Sequence, residues 1–282
     1  MNIADCLREH FSGLTLTKDF SFARHTTIGC GGTAAVAAEP ASAEQAAGLL
    51  AYLFTERIPY CFLGAGANVL PAEGRFEGVV VRFRALGALF STGTTIYAGA
   101  GVTGGRLLSF AAENGIGGFE PLSGIPTSVG GGITMNAGIA DLHFGDVAAR
   151  VLAAENGKLR VLSHADCGFG EKTSIFQSGI AVLGAYLIGR RSDAASIASR
   201  ACFYRRRRVC LPKGRSMGCA FVNPAECSAG ELIERCGLKD TRVGGARVSE
   251  LHANFLLNEG GTSDDVLALA ERVKARVQMQ TG

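Results

Sequence analysis

The pattern of apolar and polar positions predicts a strand–helix–strand unit in the first quarter of the chain. Residues 42–57 carry apolar side chains at helical spacing. The predicted apolar face of this helix consists of Leu49, Leu50, Leu53 and Phe54. Ser42 and Gln45 form a capping-box pattern at its start, and Pro59 ends it. Strand-like segments flank the helix at 34–39 and 60–63, so we expect the second strand to lead directly into the glycines that follow it.

Runs of apolar residues predict more strands in the middle of the chain. These segments are Gly78–Phe83, Thr94–Ala98, Val151–Glu155, Lys158–Leu162 and Ala181–Ile188. Asn156-Gly157 separates two of them and is a strong signal for a two-residue hairpin turn. Thr103 is expected to cap a short helix that ends at Asn114-Gly115. The mixture of helices and strands predicts an α+β fold.

The character of the sequence changes after position 190. A polar, Arg-rich stretch runs to about Arg208, and we place a domain boundary in front of it. Beyond it, Ser228 begins a short predicted helix, residues 248–257 contain a predicted strand pair, and Asp264 begins a longer helix. The apolar face of that helix consists of Val266, Leu269, Ala270, Val273 and Val277. These elements predict a smaller α+β lobe at the C-terminal end.

Composition excludes several classes of function. The chain has 28 Lys and Arg against 25 Asp and Glu, too even a balance for a nucleic-acid or membrane surface. Its first ten residues do not resemble a signal peptide, and the longest apolar run, Ile180–Ile188, is too short to span a membrane. Nine irregularly spaced cysteines without a CxxC motif are typical of thiols in a reducing compartment. We therefore expect a cytoplasmic protein that binds neither nucleic acid nor a membrane.

Two glycine-rich stretches are candidates for binding loops. Pro121–Gly138 is too rich in glycine to be a helix interior and too apolar to be a solvated linker. Its glycines let main-chain amides approach a ligand closely, which suits a large, flat cofactor that carries phosphate. Leu63–Leu70 lacks a complete GxGxxG motif and no long helix follows it, so a dinucleotide-binding βαβ unit is not indicated. If the two loops converge in space, they can hold a pyrophosphate between them; tightly packed buried turns are the alternative.

Both loops resemble motifs of one flavoenzyme family, the UDP-N-acetylenolpyruvoylglucosamine reductases, also called UDP-N-acetylmuramate dehydrogenases. The family pattern GGGSN is similar to Gly64–Asn68, and SGIPGxVGGxxxMNAG is similar to Ser123–Gly138. Further segments are similar in the same order along the chain, namely His25–Gly32, Gly218–Pro224, Gly237–Lys239, Gly244–Phe255 and Asn258–Gly261. The resemblance therefore extends over nearly the whole sequence.

The resemblance implies a fold and an activity. The expected fold is α+β, with a two-subdomain FAD-binding region of the vanillyl-alcohol-oxidase/PCMH type and a C-terminal α+β substrate lobe. Residues 1–74 and 75–190 are expected to form the two FAD-binding subdomains, and residues 191–282 the substrate domain. The chain is similar to the shorter family type, which lacks a tyrosine-loop insertion. The implied reaction uses FAD and NADPH to reduce a UDP-sugar enolpyruvate in peptidoglycan synthesis, with consequences for cell shape and division, and the implied state is a monomer.

The resemblance also implies which residues bind FAD. In the first loop they are Gly64, Ala65, Gly66, Ala67 and Asn68. In the second loop they are Ser123, Gly124, Ile125, Pro126, Ser128, Val129, Gly130 and Gly131. His25, with the two threonines that follow it, is similar to a structural turn beside the cofactor.

Four further residues match substrate-facing or catalytic positions of the family. Cys219 replaces the proton-donor serine of GSxFKNP, and a thiol is the stronger acid; an inert buried cysteine is the alternative. Lys172 replaces the catalytic arginine, keeping the charge but losing the planar fork; a surface ion pair with Glu171 is the alternative. Asn223 matches a substrate-binding asparagine, and His252 is either substrate-binding or structural.

The family pattern continues past the last predicted helix into a strand that carries a catalytic glutamate, and the sequence ends at Gln280-Thr-Gly282. Three interpretations are open: a shortened sequence, catalysis without that acid, or weakened activity. Two other functions are alternatives, namely a flavoprotein oxidoreductase with another substrate and an FAD-binding protein without catalysis. The family's Lys beside the proton donor is Val222 here. For the run Arg205–Arg208, we expect a solvated basic face, with a contact to a nucleotide phosphate as the alternative.

Overall fold

Helices and strands are mixed along the chain in this computed structural model, which describes residues 2–282. The helices are α1 (Ile3–His10), α2 (Phe22–His25), α3 (Ala43–Thr55), α4 (Gly104–Glu113), α5 (Val129–Thr134), α6 (Phe144–Val147), α7 (Ala194–Arg208), α8 (Ala229–Arg235) and α9 (Ser263–Thr281). The longer strands are β1 (Thr15–Ser21), β2 (Thr33–Glu39), β3 (Tyr60–Phe62), β4 (Arg75–Val81), β5 (Leu89–Thr92), β6 (Thr95–Gly99), β10 (Ala148–Glu155), β11 (Lys158–Ser163), β12 (Ala181–Ile188), β15 (Ala246–Val248) and β16 (Leu256–Asn258). The two-residue strands are β7 (Ile116–Gly117), β8 (Gly138–Ile139), β9 (Leu142–His143), β13 (Arg190–Arg191) and β14 (Arg242–Val243).

The chain divides into two units. The first contains the chain up to Lys18, Ala35–Ala65 and Glu77–Val209, and the second contains Asp19–Ala34, Gly66–Phe76 and Cys210–Gly282. Both units combine helices and strands, which confirms the α+β class. The domain boundaries predicted at 74/75 and 190/191 separate regions by the ligand that each binds, whereas the two units are defined by packing alone. These boundaries therefore stay a prediction.

Helix α3 begins, and the hairpin turns, at the capping and turn residues that the sequence predicts. Ser42 caps α3 and its hydroxyl accepts a hydrogen bond from the Gln45 amide at 3.1 Å. The Gln45 side chain accepts instead from the Ala41 amide at 2.7 Å, so the reciprocal bond of the predicted capping box is displaced by one residue. Asn156 and Gly157 have φ of 48° and 77° and join β10 to β11, which confirms the predicted hairpin.

Two sheets contain most of the strand residues of the first unit. A five-stranded antiparallel sheet has the order β11-β10-β12-β6-β5, and its inner face supports the larger core. The most deeply buried aromatic residues of this core are Phe119, Phe144 and Phe176. A four-stranded sheet has the order β1-β2-β4-β3, with β3 parallel to β4. A second core, which includes Leu49 and Leu53 of α3, lies between α3 and the strands that it covers.

Helix α7 occupies the polar, Arg-rich stretch, for which the sequence predicts a domain boundary but no helix. It begins at the cap Asp193 and belongs to the first unit. Arg200 on this helix pairs with Glu120, whose side chain is 2% exposed, through two hydrogen bonds of 3.0 and 2.9 Å. This ion pair, in which only the glutamate is buried, fixes α7 beside the turn that precedes the central glycine-rich stretch.

The second unit contains a three-stranded antiparallel sheet in the order β14-β15-β16, packed against α8 and α9. Val266, Leu269 and Val273 of α9 are buried as the helical spacing predicted, and β15 and β16 correspond to the predicted strand pair. Among residues 2–282, no helix combines the length and the apolar character needed to cross a membrane.

Candidate functional site

The central glycine-rich stretch forms a turn followed by a short helix, and the expectation that it contains no helix is wrong. Ser128 caps α5 by accepting a hydrogen bond from the Gly131 amide at 3.2 Å. The glycines of α5 allow close packing, since a Cβ at Gly130 would lie 2.9 Å from the Ala100 Cβ and one at Gly132 would lie 2.5 Å from the Phe144 ring. Tertiary contact therefore overrides the low helix propensity of glycine here.

The turn in front of α5 presents main chain to solvent and a hydroxyl to the interior. Gly124 is exposed and has a φ of 79°, and Pro126 is also exposed. Ser123 is 2% exposed, and its Oγ finds no hydrogen-bond partner among residues 2–282. A buried hydroxyl without a partner is costly, which makes Ser123 a candidate for a hydrogen bond to a ligand.

The first glycine loop meets the second at Gly64. A Cβ at this position would lie 2.8 Å from the Ser128 Oγ and 3.8 Å from the Gly131 amide nitrogen. The predicted convergence of the two loops is therefore observed in the first unit. Gly64 and Ala65 are exposed, so their backbone is accessible to a ligand beside α5.

The rest of the first loop belongs to the second unit. Gly66 has a φ of 69°, and a Cβ there would lie 2.2 Å from the His25 carbonyl oxygen. The Gly66 carbonyl accepts a hydrogen bond from the Thr27 amide at 2.9 Å, which orders the His25 turn. Ala67 is half-buried and Asn68 is exposed.

Lys172 lies on a loop tied to the end of α5. Its backbone has a φ of 54°, and its ammonium donates to the Gly138 carbonyl at 3.3 Å. The side chain is exposed, and in the described part of the chain it forms no ion pair, with Glu171 or otherwise. Asn136 fixes this loop because its amide donates to the Gly170 carbonyl and its Oδ1 accepts from the Gly145 amide, both at 2.8 Å.

Cys219 presents an exposed thiol, so it is not the inert buried cysteine that was the alternative. It forms an isolated antiparallel bridge with Phe255. Cys167 shows the contrast, because burial raises the pKa of its thiol to about 11. None of the nine cysteines is in a disulfide within residues 2–282.

Asn223 and His252 both lie at the start of α8 in the second unit. The Asn223 Oδ1 accepts a hydrogen bond from the Ala229 amide at 3.0 Å. His252 approaches Gly230, where a Cβ would lie 3.2 Å from its Cε1, and its Nδ1 accepts from the Asn254 amide at 3.3 Å. Val222, beside Asn223, is 72% exposed.

The arginine run spreads in several directions, as expected for adjacent helical residues. Arg207 pairs with Asp141 at 3.1 Å, and the Arg208 Nε donates to the Gly124 carbonyl at 3.1 Å. Arg205 and Arg206 are exposed. Arg208 thus supports the turn before α5, a contact that the sequence did not indicate because the two residues are 84 positions apart.

Comparisons with known proteins show which family the chain resembles. A family model described as UDP-N-acetylenolpyruvoylglucosamine reductase, C-terminal domain, matches residues 211–282, and a model described as FAD binding domain matches residues 34–159. The UDP-N-acetylenolpyruvoylglucosamine reductase of Geobacter metallireducens is 36% identical over 98% of this chain and 93% of its own length. The enzyme of that name from Caldanaerobacter subterraneus is also 36% identical, over 99% of this chain and 94% of its own length.

Solved structures extend the likeness to three dimensions. The crystal structure of the reductase from Thermus caldophilus superposes with a TM-score of 0.83 and 32% identity, covering 94% of this chain and 96% of that one. Cholesterol oxidase from Brevibacterium sterolicum, at 15% identity, shares only the fold, with a TM-score of 0.52 over 64% of this chain and 38% of that one. These likenesses confirm the vanillyl-alcohol-oxidase/PCMH type of FAD-binding fold. With relatives at 36% identity over almost its full length, the chain belongs to the UDP-N-acetylenolpyruvoylglucosamine reductase family.

Proposed function

We propose that this chain reduces UDP-N-acetylglucosamine enolpyruvate to UDP-N-acetylmuramate, with NADPH as reductant and FAD as the bound cofactor. Its place is peptidoglycan precursor synthesis in the cytoplasm, which makes it a contributor to cell-wall biogenesis, cell shape and cell division, and we propose that it works as a monomer. The observation that carries the proposal is the exposed Cys219 thiol in the motif Gly218–Pro224.

The residues present fit FAD. A buried Ser123 hydroxyl without a partner in residues 2–282, the exposed backbone of Gly64 and Gly124, and the hydroxyl-capped start of α5 suit a flat ligand with phosphate groups. The residues that we propose to hold FAD are Gly64, Ala65, Gly66, Ala67, Asn68, Ser123, Gly124, Ile125, Pro126, Ser128, Val129, Gly130 and Gly131. The chemistry that FAD supplies when bound is hydride transfer from NADPH to the enolpyruvyl double bond.

We assign the proton to Cys219. Reduction of the double bond adds one hydride and one proton to its two carbons, so the protein must donate a proton from a group that is still protonated near neutral pH. A thiol can act as such a donor and is a stronger acid than a serine hydroxyl. The resulting thiolate at Cys219 Sγ recovers its proton from water before the next turnover.

Roles are also proposed for Lys172 of the first unit and for Asn223 and His252 of the second. The Lys172 ammonium is exposed and forms no ion pair in the described part of the chain, so its charge is available to stabilise the developing negative charge on the substrate carboxylate. Lysine acts as a point charge and does not form the two parallel hydrogen bonds that arginine forms with a carboxylate. Asn223 and His252 are proposed to bind the UDP-sugar.

The test separates the two halves of the reaction. The purified protein is expected to show a flavin spectrum and to oxidise NADPH only when the enolpyruvyl UDP-sugar is added. Cys219→Ala is expected to leave flavin reduction by NADPH intact and to slow sugar reduction by at least about 100-fold. Cys210→Ala is the matched control, since Cys210 is also an exposed cysteine.

Equal loss of both half-reactions in Cys219→Ala would refute the donor role. Turnover with other acceptors but not with the UDP-sugar would instead support a related oxidoreductase with another substrate. Bound flavin without any turnover would support an FAD-binding protein without catalysis.

A further inference from the structure

The segment that carries Cys219 has little regular structure of its own. We call residues 218–224 the Cys219 loop; it contains one isolated bridge, Cys219 to Phe255, and begins at Gly218 with a φ of 80°. The Ala220 amide donates to the Asn254 carbonyl at 2.8 Å. Contacts with residues 254 and 255 therefore help to hold the thiol in place, and the Asn223 Oδ1, which accepts from the Ala229 amide, ties the other end of the loop.

The Asn254 side chain adds two hydrogen bonds to this contact. Its Oδ1 accepts from the Phe221 amide at 2.8 Å, and its Nδ2 donates to the Phe221 carbonyl at 2.9 Å. Asn254 is 2% exposed, so water does not replace these bonds. One planar amide thus satisfies both backbone groups of a residue two positions from the thiol, as a neighbouring strand would.

We propose that Asn254 is a positioning residue that holds the Cys219 thiol in the orientation for proton transfer. The inference rests on the proposed function of Cys219 as proton donor. Asn254 does not touch the substrate in this proposal; it acts by fixing the backbone at Ala220 and Phe221. Proton transfer is sensitive to displacements of about 1 Å, which cost about 100-fold in rate, so a loosened loop impairs this step selectively.

The residues around Asn254 hold it in place, so its contact with the Cys219 loop is rigid. Its backbone amide donates to the His252 Nδ1, and the His252 ring packs edge-on against Phe255 at 5.0 Å between centroids. A Cβ at Gly230 would lie 3.2 Å from the His252 Cε1, so a glycine lets the ring approach. The His252 Nε2 is not used in this contact, which leaves it for a ligand.

The chemistry of the side chain explains why asparagine is required. Aspartate keeps the acceptor for the Phe221 amide but faces the Phe221 carbonyl with a second oxygen, which repels it. Alanine removes both bonds and leaves two buried backbone groups of the Cys219 loop without partners. Both changes release the same loop by different physical means, so each tests the proposal even if the other reduces folding.

The experiment uses the full-length protein with Asn254→Ala and Asn254→Asp. Hydrogen exchange at the Ala220 and Phe221 amides is expected to accelerate at least about 10-fold. Alkylation of Cys219 by iodoacetamide, followed by mass spectrometry relative to the exposed Cys210, is expected to accelerate as well. Sugar reduction is expected to slow about 10- to 100-fold, while flavin reduction by NADPH changes less than about two-fold.

Asn258→Ala is the matched control, since Asn258 is also a buried asparagine of the second unit and donates to the Ile28 carbonyl at 2.9 Å. It is expected to leave exchange at Ala220 and Phe221 unchanged. Unchanged exchange at these amides in both Asn254 variants would overturn the proposal. Faster exchange with an unchanged rate of sugar reduction would also overturn it, because Asn254 would then be only structural. Failure of the proposed function appears separately, as normal sugar reduction in Cys219→Ala.

Discussion

The contact between the two glycine loops predicts a measurable energetic coupling between Gly64 and Ser128. Gly64 does not have a positive φ, so alanine fits its backbone and the cost of Gly64→Ala comes from the new Cβ. That Cβ would lie 2.8 Å from the Ser128 Oγ, closer than van der Waals contact allows. The hydroxyl can avoid it only by rotating away from the Gly131 amide, which it caps at 3.2 Å.

The expected magnitude follows from the loss of that cap. Removing an N-cap costs about 1 kcal/mol of unfolding free energy, so Gly64→Ala and Ser128→Ala are each expected to cost about this amount. In the double variant the Cβ no longer meets a hydroxyl and the cap is already absent. We therefore expect the double variant to lose about 1 kcal/mol rather than about 2, a coupling of about 1 kcal/mol.

Urea unfolding of the apoprotein, followed by circular dichroism, measures the three free energies. The Kd for FAD gives a second readout, because 1 kcal/mol lost at α5 corresponds to about five-fold weaker binding. Gly105→Ala is the control, since a Cβ at Gly105 meets nothing within 4 Å. Additive losses, with a double variant near 2 kcal/mol, would refute the proposed contact between the loops.

Three other predictions concern buried and charged groups. Arg200→Ala is expected to destabilise the protein by about 3 kcal/mol because it leaves the Glu120 carboxylate buried without its partner, and Glu120→Gln in the same chain is expected to recover part of this loss in urea unfolding. The Cys167 thiol, whose pKa burial raises to about 11, is expected to resist iodoacetamide at pH 8 in the native protein, as read by mass spectrometry. The hydrogen bond from Arg247 lowers the pKa of the Glu259 carboxyl, so its contribution to stability is present above about pH 4.5 and is lost as the pH falls. Glu259→Gln is expected to flatten the pH dependence of the urea midpoint in this acidic range, and an unchanged slope would contradict the assignment.

The sequence predicted the elements whose causes are local. Ser42 begins α3 and Asn156-Gly157 closes the hairpin because caps and primed turns depend on a few neighbouring residues. Helix α5 was missed because its glycines are stabilised by contacts with Ala100 and Phe144, which no local pattern reveals. Helix α7 was recognised only as a polar stretch, and the Glu120 that holds it is 80 residues away in sequence.

In the candidate site too, some features could be predicted from the sequence and others depend on the fold. The resemblance to family motifs was enough to select Ser123, Gly64 and Cys219 as candidates. It did not reveal that Ser123 is buried with no partner in residues 2–282, because burial depends on the surrounding fold. It also did not distinguish Asn254 from its neighbours in the motif, since the function we propose for it appears only when residues 33 positions apart are paired.

Asn136 and Asn254 show a common physical solution for irregular loops that carry chemistry. Each is a buried asparagine that accepts from one backbone amide and donates to one backbone carbonyl. Asn136 supports the loop of Lys172 in the first unit, and Asn254 supports that of Cys219 in the second. Loops at functional sites lack the hydrogen bonds of regular structure, so a side chain that supplies both a donor and an acceptor replaces them. Each asparagine therefore supports the backbone geometry of its loop through hydrogen bonds that involve no ligand.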